Sequence, residues 1–406
     1  MISSKTSLII FSHCSIYGGS ERLMKSIYLG EKFINEYNII FSYLYYPFYK
    51  KSLFNDLPIN IDKSKFIGLV LFSNARLYHG INSIITNRFL RKITKIPFFL
   101  LSLSGIYVIW NSISFILFIY KHKPRIVHIN NGGFPASEVC NQLAIVIKLF
   151  FPRIKVVYQV NSSPVKSSIA LIKLMNKSVD YFVTHSNSNR LKLVEIGIID
   201  KKICSFPSYF NDQFKEDLQL MKATKFNIVS VGFLEKRKGH YYLIGAINKL
   251  KEYNSLLFDN IQLHIIGSGN QYDILSKLII DSNLQDKVTL WGSRSDYLYF
   301  INFADVFVLP SLYDEDLPLV LLSSMKCGKV IIASNIAGVG ELLTNMEDSI
   351  LIEPIIDNMS ENLAFTLNNI FNDTGLQAKL KSNVLSTYNM RFSEDAYFNN
   401  LNSIFK

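Results

Sequence analysis

Along this chain the apolar residues gather in short unbroken runs, each closed by a polar or glycine-bearing loop and followed by a longer amphipathic stretch. Parallel strands buried on both faces read as continuous runs of this kind, whereas half-buried strands alternate. On that pattern residues 8–11, 125–130, 156–160, 181–186, 263–269, 288–292, 306–309 and 330–333 are predicted strands, and the opening of FNIVSVGFLEKRKGHYYLIGAINKL is another. Helical stretches fall between them, so the expected class is α/β, built from strand–helix–strand units. Residues 41–75 are aromatic without a clear period and predict no element.

The most legible unit is 304–343, ADVFVLPSLYDEDLPLVLLSSMKCGKVIIASNIAGVGELL. Pro310 closes a strand, Pro318 falls in a first helical turn that needs no N–H, and Gly328 suits the residue after the helix end. Between strand and helix lie Asp314, Glu315 and Asp316, at the carboxyl end of a strand, where open α/β sheets bind ligands. A helix start offers free N–H groups to a phosphate, and a carboxylate beside it accepts hydrogen bonds from sugar hydroxyls. Acids in this position also simply cap and solvate a helix.

Two further loops carry candidate chemistry. After the first strand, Gly18 and Gly19 let backbone approach a ligand, and Ser20 is a candidate N-cap. The spacing differs from G-x-G-x-x-G, which argues against a nicotinamide cofactor. Arg237 and Lys238 precede Gly239 and a helix, a setting suited to neutralising a diphosphate, although a basic loop is commonly just solvated. His185 reads as a structural histidine.

Composition adds limits. With 406 residues, 49% of them apolar, the chain can build two domains of about 200 residues with full cores. Cys14, Cys140, Cys204 and Cys327 show no metal-ligand spacing and read as core thiols of a reducing compartment. The leading apolar run is too short for a signal peptide. Charge is uneven: residues 1–205 hold 26 Lys and Arg against 9 Asp and Glu, an excess of +17, while the remainder holds 17 against 23. The first half should therefore face something anionic, and without a nucleic-acid-binding motif a membrane surface fits better than nucleic acid. The uncharged run 96–120 is long enough to span a bilayer, but it contains Ser, Gly and Asn and has basic flanks on both sides. A buried domain helix, a helix lying in the membrane interface and a spanning helix all remain open.

The residues EDLPLVLLSSMKCGKVIIAS resemble the E-G-[FL]-P-x-x-x-x-E-A-M-A-x-G-x-P-V-I-A segment of retaining GT-B glycosyltransferases of family 4, the glycosyl transferases group 1, bacterial surface-polysaccharide type. GGSE after the first strand, RKG at 237–239, LHIIGSG, and YFVTHS resemble other segments of that family. The resemblance implies a GT-B fold, two Rossmann-like domains with parallel sheets facing across a cleft. Its parts would be an N-terminal acceptor domain over 1–205, a nucleotide-sugar domain over 206–386, and a final helix, 387–406, crossing back to the first.

It also implies roles. Glu315 would orient the donor sugar while Lys238 and Arg237 stabilise the leaving diphosphate, as the catalytic set. Gly19, Gly267, Gly292, Leu317, Pro318 and Ser323 would line the donor site, with Gly18 and Asn161 on the acceptor side. Three positions depart from the family pattern: Ser323 stands where a second Glu holds the ribose, Asn161 where His is common, and Phe233 where Arg often follows a glycine. The implied reaction moves a sugar from a UDP- or GDP-sugar to a hydroxyl of a glycan or lipid-linked glycan, in surface-polysaccharide synthesis, without metal or other cofactor. The expected location is cytoplasmic, peripheral on the inner face of the cell membrane. The alternative is a degenerate, non-catalytic partner in a membrane glycan-assembly complex. Epimerase and phosphorylase readings of the same fold lack their signature residues.

Overall fold

The computed structural model describes residues 5–13, 19–58, 61–209, 225–313, 315 and 317–406. It divides into two compact units: Met1–His185 with Asn189–Phe206 and Tyr397–Lys406, and Ser186–Ser188 with Pro207–Ala396.

In the first unit the described residues form seven parallel strands: β1 (Thr6–Ser12), β2 (Tyr37–Leu44), β3 (Phe66–Leu69), β4 (Ile126–Asn131), β5 (Lys155–Val160), β6 (Tyr181–Thr184) and β7 (Ile203–Ser205), in the order β3-β2-β1-β4-β5-β6-β7. Pairing β1 to both β2 and β4 places the reversal of strand order at β1. Helix Glu138–Phe150 covers β4 and β5 with Val139, Leu143 and Ile147, and Ser137 caps it by accepting from Cys140 N. The closing segment of the chain seals the sheet's other side, where Lys155 Nζ donates to the carbonyls of Ile404 and Phe405.

Three expectations change here. The stretch 41–75, read as patternless, contains the second half of β2, the helix Pro47–Asp56 and all of β3. Its tyrosines obscure the period because they serve strand and helix alike: Tyr43 of β2 stacks on Tyr49 of the helix, ring centroids 5.4 Å apart. The run 96–120 is not one helix but parts of two, Arg88–Leu103 and Ile106–His122, bent by 63° at Ser104 and Gly105. Gly105 takes φ +77°, a left-handed turn that stops one helix and starts the next. No single described helix is long and apolar enough to cross a membrane. Ser20 lies inside the helix Gly19–Leu29, and its hydroxyl donates to Glu21 Oε2 rather than capping the helix.

The second unit's described residues form β8 (Phe226–Val231), β9 (Ile261–Ile266), β10 (Val288–Leu290), β11 (Val306–Leu309), β12 (Val330–Ser334) and β13 (Ile350–Ile352), parallel, in the order β10-β9-β8-β11-β12-β13. The central strands bury alternate residues in opposite layers. Val306 and Val308 join one core with Leu243 and Leu363, while Phe307 and Leu309 join another with Phe300 and Leu321. That two-sided burial is why the strand reads as an unbroken apolar run. The strand order reverses between β8 and β11, and the loops leaving their carboxyl ends meet there.

Candidate functional site

The loop after β8 folds over the end of β11. Leu312 N donates to Arg237 O at 2.7 Å, and the short 3-10 turn Lys236–Lys238 ends at Gly239, φ +69°. A Cβ at Gly239 would lie 1.8 Å from Pro310 O, so only glycine lets the two loops touch. Gly267, after β9, is equally constrained, with Gly232 O 1.8 Å from where its Cβ would be. Gly267 N donates to Gly292 O at 2.8 Å, which joins the β10 loop to the same rim.

Three charged side chains converge at this reversal point. Lys238 Nζ donates to Glu315 Oε1, Arg237 Nη1 lies 3.6 Å from the same oxygen, and Ser311 Oγ donates to it at 2.7 Å. Glu315 is buried at 8% exposure, and the described contacts of its carboxylate fall on Oε1. Arg237 is steered by Glu235, which accepts from its Nε at 2.9 Å. A buried carboxylate is tolerated only when paired and hydrogen-bonded, which is what the two cations and Ser311 supply. Beneath them His240 is buried and pushed down to about 3 by loss of solvation and by the neighbouring Lys238 charge, so it is neutral.

Leu317 and Pro318 lead directly into the helix Leu319–Lys326, where Leu321 N already donates to Pro318 O at 2.8 Å and the N–H groups of Leu319 and Val320 precede the first intrahelical bond. Ser323 lies on that helix, buried, with Oγ donating to Leu319 O at 3.1 Å. Beside the β10 end, Trp291 Nε1 donates to His264 Nδ1 at 3.0 Å and the Arg294 guanidinium lies 5.5 Å from the Trp291 ring centre. His264 Nε2 faces Asn227 Oδ1, and burial pushes this histidine down to about 4.

The first unit's carboxyl edge is lined differently. Buried Glu21 accepts from Ser12 Oγ at 3.0 Å, Asn130 Nδ2 donates to Ser12 Oγ at 2.9 Å, and Asn161 Nδ2 donates to Asn130 Oδ1 at 2.6 Å. Gln159 Nε2 then donates to Asn161 Oδ1 at 2.8 Å and faces His185 Nε2 at 3.1 Å, while Gln159 Oε1 faces His128 Nε2 at 2.9 Å. Burial pushes both histidines down to about 4 and keeps them neutral.

Residues 212–386 match the family model described as Glycosyl transferases group 1. That region is a glycosyl transferases group 1 domain. Among curated relatives, the UDP-Gal:alpha-D-GlcNAc-diphosphoundecaprenol alpha-1,3-galactosyltransferase of Escherichia coli is 31% identical over 191 residues, 46% of this chain and 48% of that protein. The N-acetylgalactosamine-N,N'-diacetylbacillosaminyl-diphospho-undecaprenol 4-alpha-N-acetylgalactosaminyltransferase of Campylobacter jejuni is 30% identical over 195 residues, 46% of this chain and 50% of that protein. The chain thus spans about half the length of the curated relatives it matches. Among solved structures, HepE of Anabaena in complex with UDP aligns with a TM-score of 0.71 at 17% identity, covering 98% of this chain and 99% of that one. The likeness establishes the fold as GT-B, two parallel-sheet α/β domains.

Of the residues singled out from sequence, Glu315, Lys238 and Arg237 meet at one point of the domain. Gly267 and Gly292 form its rim, and Leu317, Pro318 and Ser323 lie on the strand-to-helix segment that leaves it. Gly19 and Asn161 belong to the first unit, linked through Asn130, whose Nδ2 faces Ser20 O at 3.4 Å. Gly18, Cys14, Asp314 and Asp316 lie outside the described residues. Sequence reading missed Ser311 and Glu235. A serine after a strand-closing proline, four residues before Glu315, was the available signal for the first.

Proposed function

We propose that the chain transfers a sugar from a UDP- or GDP-sugar to a hydroxyl of a glycan acceptor, with the anomeric configuration retained. The observation that carries this reading is the convergence of Lys238 and Arg237 on Glu315 where the strand order of the group 1 domain reverses. Without ligand Lys238 is paired with Glu315, and Arg237 is shared between Glu315 and Glu235. An incoming diphosphate offers the two cations a better partner, with two linked phosphate groups, and draws them off Glu315. Glu315 is then free to accept hydrogen bonds from donor-sugar hydroxyls.

In the transfer, the bond from the anomeric carbon to the diphosphate breaks and a bond to the acceptor oxygen forms on the same face. The acceptor's proton passes to the departing phosphate oxygen, whose developing charge Lys238 and Arg237 stabilise. No metal or other cofactor enters the scheme. In this reading Gly19, Gly267, Gly292, Leu317, Pro318 and Ser323 serve the donor, while Gly18 and Asn161 serve the acceptor.

The names of the two relatives specify undecaprenol-linked acceptors, which supports a lipid-linked glycan here and a role in surface-polysaccharide synthesis. The basic first half supports peripheral attachment to the inner, anionic face of the cell membrane. The test is transfer or hydrolysis with a panel of nucleotide sugars, alongside Lys238→Ala and Glu315→Gln. Turnover lost in both variants with unchanged melting temperature supports the reading.

One observation favours a second reading, a non-catalytic partner in a glycan-assembly complex. The ribose position is held by a serine whose hydroxyl already donates to Leu319 O. A wild-type chain that binds no nucleotide by calorimetry would select it.

A further inference from the structure

Among the described residues, exposed large apolar side chains cluster on the helix pair of the first unit, remote in sequence from the charged site. On helix Ile106–His122 one face is buried through Tyr107, Asn111, Phe115, Phe118 and Ile119. The opposite face exposes Ile106, Ile109, Trp110, Ile113, Leu117 and Tyr120, an unbroken stripe at helical spacing along the whole helix. Helix Arg88–Leu103 buries no residue and exposes Phe89, Ile93, Ile96, Leu100 and Leu103 at the same spacing. Soluble surfaces carry scattered apolar side chains, whereas two such stripes on helices joined at one 63° corner mark a contact surface.

Charge selects what that surface contacts. Between Asp62 and Glu138 the chain has no Asp or Glu and ten Lys or Arg. Arg88, Lys92 and Lys95 flank the first stripe at i, i+4 and i+7. The second stripe ends at Tyr120 in a cleft of about 360 Å³ walled by Ile119, Pro124, Phe150 and Phe151, with Lys123 and Arg153 at its mouth. Lys123 and Arg153 are both exposed, and Arg153 has no ionic partner among the described residues. Basic side chains bordering apolar ones match a bilayer interface, where phosphates lie directly above acyl chains.

We propose that this helix pair is a lipid-docking face: its stripes lie in the acyl boundary of an anionic bilayer, and Arg88, Lys92, Lys95, Lys123 and Arg153 contact lipid phosphates. The inference deepens the membrane part of the proposed function and is independent of catalysis.

The full chain is floated with vesicles of phosphatidylcholine, with and without phosphatidylglycerol, at low and high salt. Wild type floats with the anionic vesicles, and salt weakens that binding severalfold. Ile113→Glu with Leu117→Glu reduces flotation about ten-fold or more, and Lys92→Glu with Lys123→Glu removes the preference for phosphatidylglycerol. In a Trp291→Phe background Trp110 emission shifts to the blue on adding anionic vesicles. Melting temperature and UDP binding by calorimetry report folding and the donor site separately, so a chain that floats but binds no nucleotide keeps this inference and loses the functional one. Absence of flotation, flotation unchanged by the glutamates, or a wild-type dimer dissolved by them overturns it; the last outcome assigns the face to self-association.

Discussion

The two units are built alike, as parallel sheets whose strand order reverses near the middle, yet their carboxyl edges are chemically opposite. In the first, Ser12, Asn130, Asn161, Gln159 and two neutral histidines form a hydrogen-bonded chain in which Glu21 is the one carboxylate, among the described members. In the second, Lys238, Arg237 and Glu315 concentrate three charges around a single oxygen. Amides and hydroxyls discriminate neutral hydroxyl-rich ligands by geometry, whereas paired charges hold a polyanion and respond to its arrival. The fold is shared, and the difference lies in which residue types end each strand.

The most direct way to break this comparison is to remove its strongest charge. Lys238→Ala should lower kcat/KM for transfer by about 10²–10³-fold, the usual loss when a group stabilising developing charge is removed. Asn161→Ala should cost about five-fold, since one neutral hydrogen bond contributes about 1 kcal/mol. Steady-state kinetics with any accepted donor and acceptor measures both. Equal losses would erase the distinction between the edges.

The charged edge also depends on loops packed backbone to backbone. Gly239→Ala should destabilise the protein by about 3 kcal/mol, because its left-handed φ and the adjacent Pro310 carbonyl both oppose a Cβ. Gly292→Ala, at φ +69° but facing open space, should cost only about 1 kcal/mol. Denaturant midpoints of the two variants separate strain from collision.

How much of this was legible follows the same physics. The β11-loop-helix-β12 segment could be read because two-sided burial leaves unbroken apolar runs, and because Pro310, Pro318 and Gly328 mark its joints. Glu315, Lys238 and Arg237 could be nominated because charged residues next to helix starts are conspicuous. Ser311 escaped because a buried serine after a strand is common, and its value appears only when Glu315 folds back onto it. The first unit's polar chain was invisible, since Ser12, Asn130 and Asn161 are 118 and 31 residues apart in sequence and meet only through strand register. The helix corner was hidden because one left-handed glycine interrupts an otherwise continuous apolar pattern.

Acidity should affect the two units together, which sharpens what is particular to the charged edge. His128 and His185 in the first unit, and His264 in the second, are pushed down to about 4, and His240 to about 3, all chiefly by burial. The unfolded chain takes up protons near pH 6.5 and the native one only near 4 or below, so the native state is not penalised above 6.5. Stability is lost as pH falls from 6.5 toward 4, by up to about 1.4 kcal/mol per pH unit for each histidine. Denaturant midpoints at pH 7 and pH 5, followed by tryptophan fluorescence, should show one descending trend. A protein equally stable at both values would show that these histidines are solvated.

The smallest effect concerns Ser323, at the edge of the charged site. In the resembled pattern a carboxylate at this place holds the ribose, but here Oγ donates to Leu319 O, four residues back along its own helix. A hydroxyl donating to a helix carbonyl keeps lone pairs for accepting but has no proton left to give. Ser323→Ala should therefore change the Kd for UDP or GDP by less than about three-fold, below 0.7 kcal/mol, and leave stability within about 0.5 kcal/mol. Calorimetry on the wild-type and variant chains decides it. A ten-fold loss would mean that the hydroxyl leaves Leu319 when nucleotide binds and that the serine takes over part of the ribose contact.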